Sequence, residues 1–191
     1  MKTKQLINSS LSGFLLFWFC VVSASADQFG DFTYTDNGTN ITITDYPTTA
    51  VGVVVIPSTI VSKPVTSIGD SAFRDCSGLT GITIPSGVTS IGSLAFYDCS
   101  GLTSVTIPSA VTSIGTDVFW GCNELATISV DGANPNYSSI DGILFNKNLT
   151  LLIQCPGGFS GSFTIPTSVT SIGSSVFHRC SGLTNITIPI S

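Results

Sequence analysis

The residues equipped to do chemistry are few. His178 is the only histidine among 191 residues, so a metal centre built on several imidazoles is excluded and a hydrolase triad would need His178 as its base. No G-x-S-x-G turn accompanies it, and no serine is set apart from the many others. A solvated surface histidine is the simpler reading, and neither catalysis nor a resident metal or cofactor is expected. Asp75 and Asp98 stand 23 residues apart in matching surroundings and could form an acid and base couple. Two solvated side chains on a ridge account for them equally well, and no concave pocket is implied.

Cysteine recurs with the same step, at Cys76, Cys99 and Cys122, and again at Cys180. In a stacked coil such residues lie about 4.8 Å apart, within reach of a disulfide. Each, however, keeps phase with a Phe and a Leu, which marks a small buried hydrophobe. No C-x-x-C is present, so buried thiols are preferred over a disulfide or a metal site.

The position after the repeated Phe holds Arg74, Tyr97, Trp120 and His178. In-phase residues stack in a repeat array, so these four are expected to form one exposed column beside Asp75 and Asp98. Tyr, Trp and Arg are the types concentrated at binding hot spots, and this column is the candidate binding site. A second, plainer surface is the outward strand face, with Thr80, Thr83, Thr103, Ser104, Thr106, Thr127 and Ser129, since Thr is also a routine strand residue.

The elements that must carry these columns follow from self-similarity. VTSIG begins at Val65, Val88, Val111 and Val169, with two steps of 23 and a longer one across an irregular stretch. Phe73, Phe96, Phe119 and Phe177 keep phase with it, as do Leu79, Leu102, Leu125 and Leu183. After each Cys comes L-x-x-I/V-x-I/V, as in Leu79, Ile82 and Ile84, the period-two pattern of a strand with one buried face. Pro85, Pro108, Pro166 and Pro189 follow, and proline, unable to donate to a ladder, should end each strand at a corner. VTSIG then offers a second short strand whose glycine permits a turn, and the stretch from Asp70 to Cys76 has the spacing of one helical turn. A unit this short cannot enclose a core, so each coil must bury its apolar residues against its neighbours.

At the N-terminus, Lys2 and Lys4, an apolar stretch from Leu11 to Val22, and Ala24-Ser25-Ala26 read as a secretory signal over residues 1–26. The stretch is short for a membrane span, so the mature chain is expected to begin at Asp27 without one. Losing the two lysines leaves four basic against eleven acidic residues, a net charge of −7, which disfavours a nucleic-acid partner. The N-x-T sequons at Asn37, Asn40, Asn148 and Asn185 matter only in a eukaryotic secretory route.

The phased unit T-I-P-x-x-V-T-S-I-G-x-x-A-F-x-x-C-x-x-L resembles the BspA-like leucine-rich repeats of bacterial and some protozoan surface proteins. The likeness covers most of Val53 to Pro189. It implies a β-rich repeat solenoid, a leucine-rich-repeat-like right-handed coil with short strands and one helical turn per ~23-residue unit. Residues 27–57 would form N-terminal irregular coils and 58–191 the repeats, with an irregular coil at about 131–166 and the array stopping in mid-unit. The Asn that ladders common leucine-rich repeats is absent, with Gly87 and Ala110 in its place. The resemblance further implies an exported, adhesion-type protein binding an extracellular protein or glycan. The runner-up is a structural spacer, or a repeat segment that self-associates end to end, without a specific ligand.

Overall fold

The computed structural model describes residues 27–189, so the secretory-signal reading lies outside the described residues, as does Ser191. The described chain is built from strands and turns, with no helix long and apolar enough to cross a membrane among them. Strands β1 (Asp27–Phe29), β2 (Phe32–Asp36) and β3 (Ile41–Asp45) form an antiparallel meander. Its last strand starts the parallel stack by pairing with a strand of the first coil. The Lys63 ammonium donates to the Asp36 carboxylate at 2.7 Å and ties the meander to that coil. This hydrogen bond and that from the Gly38 amide hold Asp36 below the usual carboxylate range.

The coils follow in order: β4 (Val51–Val55), β5 (Thr59–Ile60), β6 (Lys63–Ile68), β7 (Gly78–Thr83), β8 (Ser90–Ile91), β9 (Ser104–Ile107), β10 (Ser113–Ile114) and β11 (Thr127–Val130). One face stacks β3 with the VTSIG strands β6, β8 and β10; the other carries the L-x-x-I/V-x-I/V strands β7, β9 and β11, with the valine-rich β4 paired to β7 and β9 to β11. Partners are in register with the repeat, Ile68 beside Ile91 and Ile91 beside Ile114. Alternation along β9 places Val105 and Ile107 inside and Ser104 and Thr106 outside.

Irregular residues interrupt the array as two hairpin turns, β12 (Tyr137–Ile140), β13 (Ile143–Asn146) and β14 (Leu151–Gln154), after which β15 (Ser160–Thr164), β16 (Ser171–Ile172) and β17 (Gly182–Thr187) resume the parallel pattern. Asn134 seals the junction. Its position continues the 23-residue step of Val88 and Val111, and it is the buried polar residue of the core, fully enclosed. Its Nδ2 donates to Pro108 O (2.8 Å) and Val111 O (2.9 Å), while Oδ1 accepts from the amides of Asn136 and Tyr137, both at 2.8 Å. All four hydrogen-bonding positions of the amide are used.

The core is a stack of like residues. Phe73 and Phe96 stack at 5.3 Å and Phe96 and Phe119 at 5.7 Å, all three buried, and Tyr46 and Phe32 extend the column toward the N-terminus. Phe177, in phase by sequence, belongs instead to a second cluster with Phe145 and Phe163 and is half-buried. Where one helical turn is expected, between Gly69 and Cys76, the chain makes successive tight turns. Ala72, Arg74 and Cys76 donate to carbonyls three residues back, and Ser71 and Asp75 adopt positive φ. Alternating conformation points the remaining amides out of the coil, which a helix would consume internally. The VTSIG glycines serve close approach rather than an unusual φ: a Cβ on Gly92 would stand 2.5 Å from Asp70 N, and one on Gly115 2.4 Å from Ser93 N.

Candidate functional site

The expected column is present as a continuous stack on the turn side of the coils. The Arg74 guanidinium lies 4.8 Å from the Tyr97 ring centre, Tyr97 stacks on Trp120 at 4.7 Å with planes 8° apart, and Trp120 stacks on His178 at 4.4 Å. Arg179 adds a second guanidinium 5.2 Å from the Trp120 ring. Arg74 and His178 are exposed, whereas mutual stacking leaves Tyr97 and Trp120 half-buried. Sequence phase finds the first four residues but passes over Arg179.

Arg74, Tyr97 and Trp120 project from the turn stretch because the Phe before each points inward and is locked in the core; His178 follows the half-buried Phe177 in the same way. The neighbouring row, Asp75, Asp98, Gly121 and Arg179, repeats positive φ of 60°, 53°, 80° and 59°. Asp tolerates this conformation better than most residues. Gly121 has a further reason to lack a side chain: a Cβ there would collide with the Asp98 carboxylate, which lies over it. Asp75 is drawn to Arg74, Nε to Oδ2 at 3.5 Å, while the Asp98 carboxylate lies over Gly121, so the two expected carboxylates engage different neighbours along the ridge.

Trp120 reaches His178, 58 positions on, because the coil between them is recessed. There β14 leads directly into Cys155-Pro156-Gly157-Gly158, a single tight turn closed by the Phe159 amide donating to Pro156 O at 3.0 Å, in which two glycines take the place of the longer turn stretch of the other coils. The two glycines let the backbone lie flat against the preceding coil: a Cβ on Gly157 would stand 2.7 Å from Cys122 O.

The cysteines are buried free thiols at Cys76, Cys99, Cys122 and Cys155, with Cys180 half-buried. Cys99 Sγ donates to Phe73 O at 3.0 Å and Cys122 Sγ to Phe96 O at 3.1 Å. Burial pushes the Cys76 thiol up to about 11 and the Cys122 thiol up to about 12, and raises Cys99 as well. These are poor nucleophiles. Among the described residues no group of three or more His, Cys, Asp or Glu is placed to hold a metal. On the strand face the Thr103 hydroxyl donates to Thr80 O at 3.0 Å, so it is committed to the ladder.

Stacked coils with parallel strands on two faces and a third side of tight turns define a β-solenoid of the leucine-rich-repeat class. The sequence profile of the BspA type leucine-rich repeat region matches in six copies, over residues 53–156 and 159–191. The chain therefore belongs to the BspA-type leucine-rich repeat family. A leucine-rich repeat protein of T. pallidum shares 27% identity, with a TM-score of 0.59, covering 85% of this chain and 71% of that one. A leucine-rich repeat protein from Eubacterium ventriosum is 23% identical (TM-score 0.46, 84% of this chain and 58% of that). A leucine-rich cell surface protein of Faecalibacterium prausnitzii is 21% identical (TM-score 0.48, 86% and 76%). No curated protein sequence matches.

Proposed function

We propose that this protein is exported and acts as an adhesion-type binder of an extracellular protein or glycan, with the ridge Arg74, Tyr97, Trp120 and His178 as its contact surface and no catalytic role. The observation that carries this reading is the concentration of recognition chemistry: both arginines, the histidine and the tryptophan of the described residues share one ridge. A chain with only 9% charged residues gains little from gathering them unless they are used together. Preformed stacking also lowers the entropy that binding would cost. Export is supported by the signal-like residues 1–26.

The test is a glycan and matrix-protein array read with the wild-type protein and with Tyr97→Ser/Trp120→Ser. Specific binding that falls by about 10-fold or more in the double variant supports the ridge. Full retention removes it.

A second reading, self-association, rests on β4. Its Val51, Val53 and Val55 are 79%, 68% and 64% exposed on a strand paired only to β7 among the described residues, and bare apolar edges invite pairing. Sedimentation that is independent of protein concentration would eliminate it.

A further inference from the structure

In the regular coils, alternate turn amides donate to carbonyls of the next coil. Phe73 donates to Ala95 O at 2.8 Å and Asp75 to Tyr97 O at 2.8 Å; one coil on, Leu94 donates to Thr116 O and Phe96 to Val118 O, both at 3.0 Å. The corresponding amides of the following coil, Asp117, Phe119 and Gly121, find no acceptor among the described residues, because the coil that should face them is the recessed one. In its place lies a cleft of about 290 Å³, whose lining includes Asp117 and Phe119 on one wall, Ser174 and Ser175 on the other, and Ile153 and Gln154 from the recessed coil.

We propose that this cleft, with the Trp120, His178 and Arg179 end of the ridge, binds one acidic sugar unit of a glycan, bearing a carboxylate or sulfate. The inference rests on the ridge being a binding surface and names the ligand chemistry at one end of it. Amides from alternating backbone conformations form anion-seeking concavities, and charged oxygens are their strongest acceptors. Arg179 stands over Trp120 and makes no ion pair among the described residues, whereas Arg74 is engaged by Asp75. A free guanidinium matches a carboxylate or sulfate in two-pronged geometry.

The rest of the lining suits a sugar ring. Ser174, Ser175 and the Gln154 amide offer hydrogen bonds to hydroxyls, and Ile153 offers an apolar patch for the C–H face. The Asp117 carboxylate repels an acid from its own end of the amide row, which orients the acidic group past it, toward the Phe119 amide and Arg179. The volume is at the small end of ligand pockets, which fits one ring with its neighbours running along the ridge.

The test is calorimetric titration of the purified protein with size-defined chondroitin sulfate and polygalacturonate oligosaccharides, against neutral maltooligosaccharides and poly-glutamate. Variants are Arg179→Asn, which tolerates the positive φ, and Ser174→Trp, which fills the cleft from an exposed position. Acidic saccharides should bind at least about 10-fold more tightly than neutral ones, and each variant should lose about 10-fold or more. Equal affinity for neutral sugars, an unaffected Ser174→Trp, or equally tight poly-glutamate would each overturn the proposal. If no saccharide binds while array ligands still depend on Tyr97 and Trp120, the cleft falls and the ridge stands.

Discussion

Trp120 and His178 stack at 4.4 Å across a coil that contributes no side chain between them. The contact joins the regular half of the array to its resumption after the irregular coil. It also makes one ridge out of what would otherwise be two. His178→Ala should therefore expose Trp120 and loosen the ridge without unfolding the core, since His178 is exposed and outside the buried clusters. Acrylamide quenching of tryptophan emission should rise, with a thermal midpoint shifted by no more than a degree or two, in line with a surface change of about 0.5 kcal/mol.

The column Phe73, Phe96 and Phe119 is the main interior of the stack, and Phe96 is covered on both ring faces. Phe96→Ala is predicted to cost about 3–5 kcal/mol. Urea denaturation followed by circular dichroism measures this directly. An unchanged midpoint would contradict the register.

Asn134 replaces Val at a column position and holds the irregular coil to the regular one through two hydrogen bonds, to Pro108 O and Val111 O, while two more, from the Asn136 and Tyr137 amides, fix its own turn. Asn134→Ala removes the side-chain partner of Val111 O and of the Asn136 and Tyr137 amides and leaves Pro108 O with the Val111 amide alone, and about 3 kcal/mol of stability should be lost. Asn134→Asp should be at least as damaging, because an oxygen would then face the carbonyls of Pro108 and Val111. The same denaturation experiment reads both.

The period, the two strand faces, the Phe column and the four-residue ridge are legible from the sequence because in-phase identity translates directly into stacking. The meander of β1 to β3 is not, since it is paired antiparallel and lies outside the repeat. Asn134 carried a signal, its 23-residue distance from Val111, which a change from apolar to amide conceals. The recessed coil was hidden for a physical reason: a 58-residue step states that something intervenes, but only the flat passage of Gly157 and Gly158 shows that it fills no place on the ridge. Arg179 falls in the Asp75 and Asp98 row, and only its cation–π contact with Trp120 places it on the ridge.

The buried thiols should make stability fall in alkali. Cys76 and Cys122 are raised to about 11 and about 12 in the folded chain, against about 8.5 in an unfolded one. Above the unfolded value the denatured state releases protons that the folded state retains. The stabilisation is therefore complete below that pH and is lost progressively as pH rises through 9 toward 11 and 12, with a slope of at most about 1.4 kcal/mol per pH unit per thiol. Stability measured from pH 7 to 11 should decline, and Cys76→Ala/Cys122→Ala should flatten the decline.

Trp120, the tryptophan of the described residues, is its own reporter of binding at the ridge. Ligands found on the array are titrated while its emission is followed, in wild type and in Trp120→Ser by calorimetry. A ridge that binds predicts a saturable change in emission at the binding concentration and a loss of about 10-fold or more in affinity on substitution. Saturating binding with unaltered emission and unaltered affinity in Trp120→Ser would contradict it.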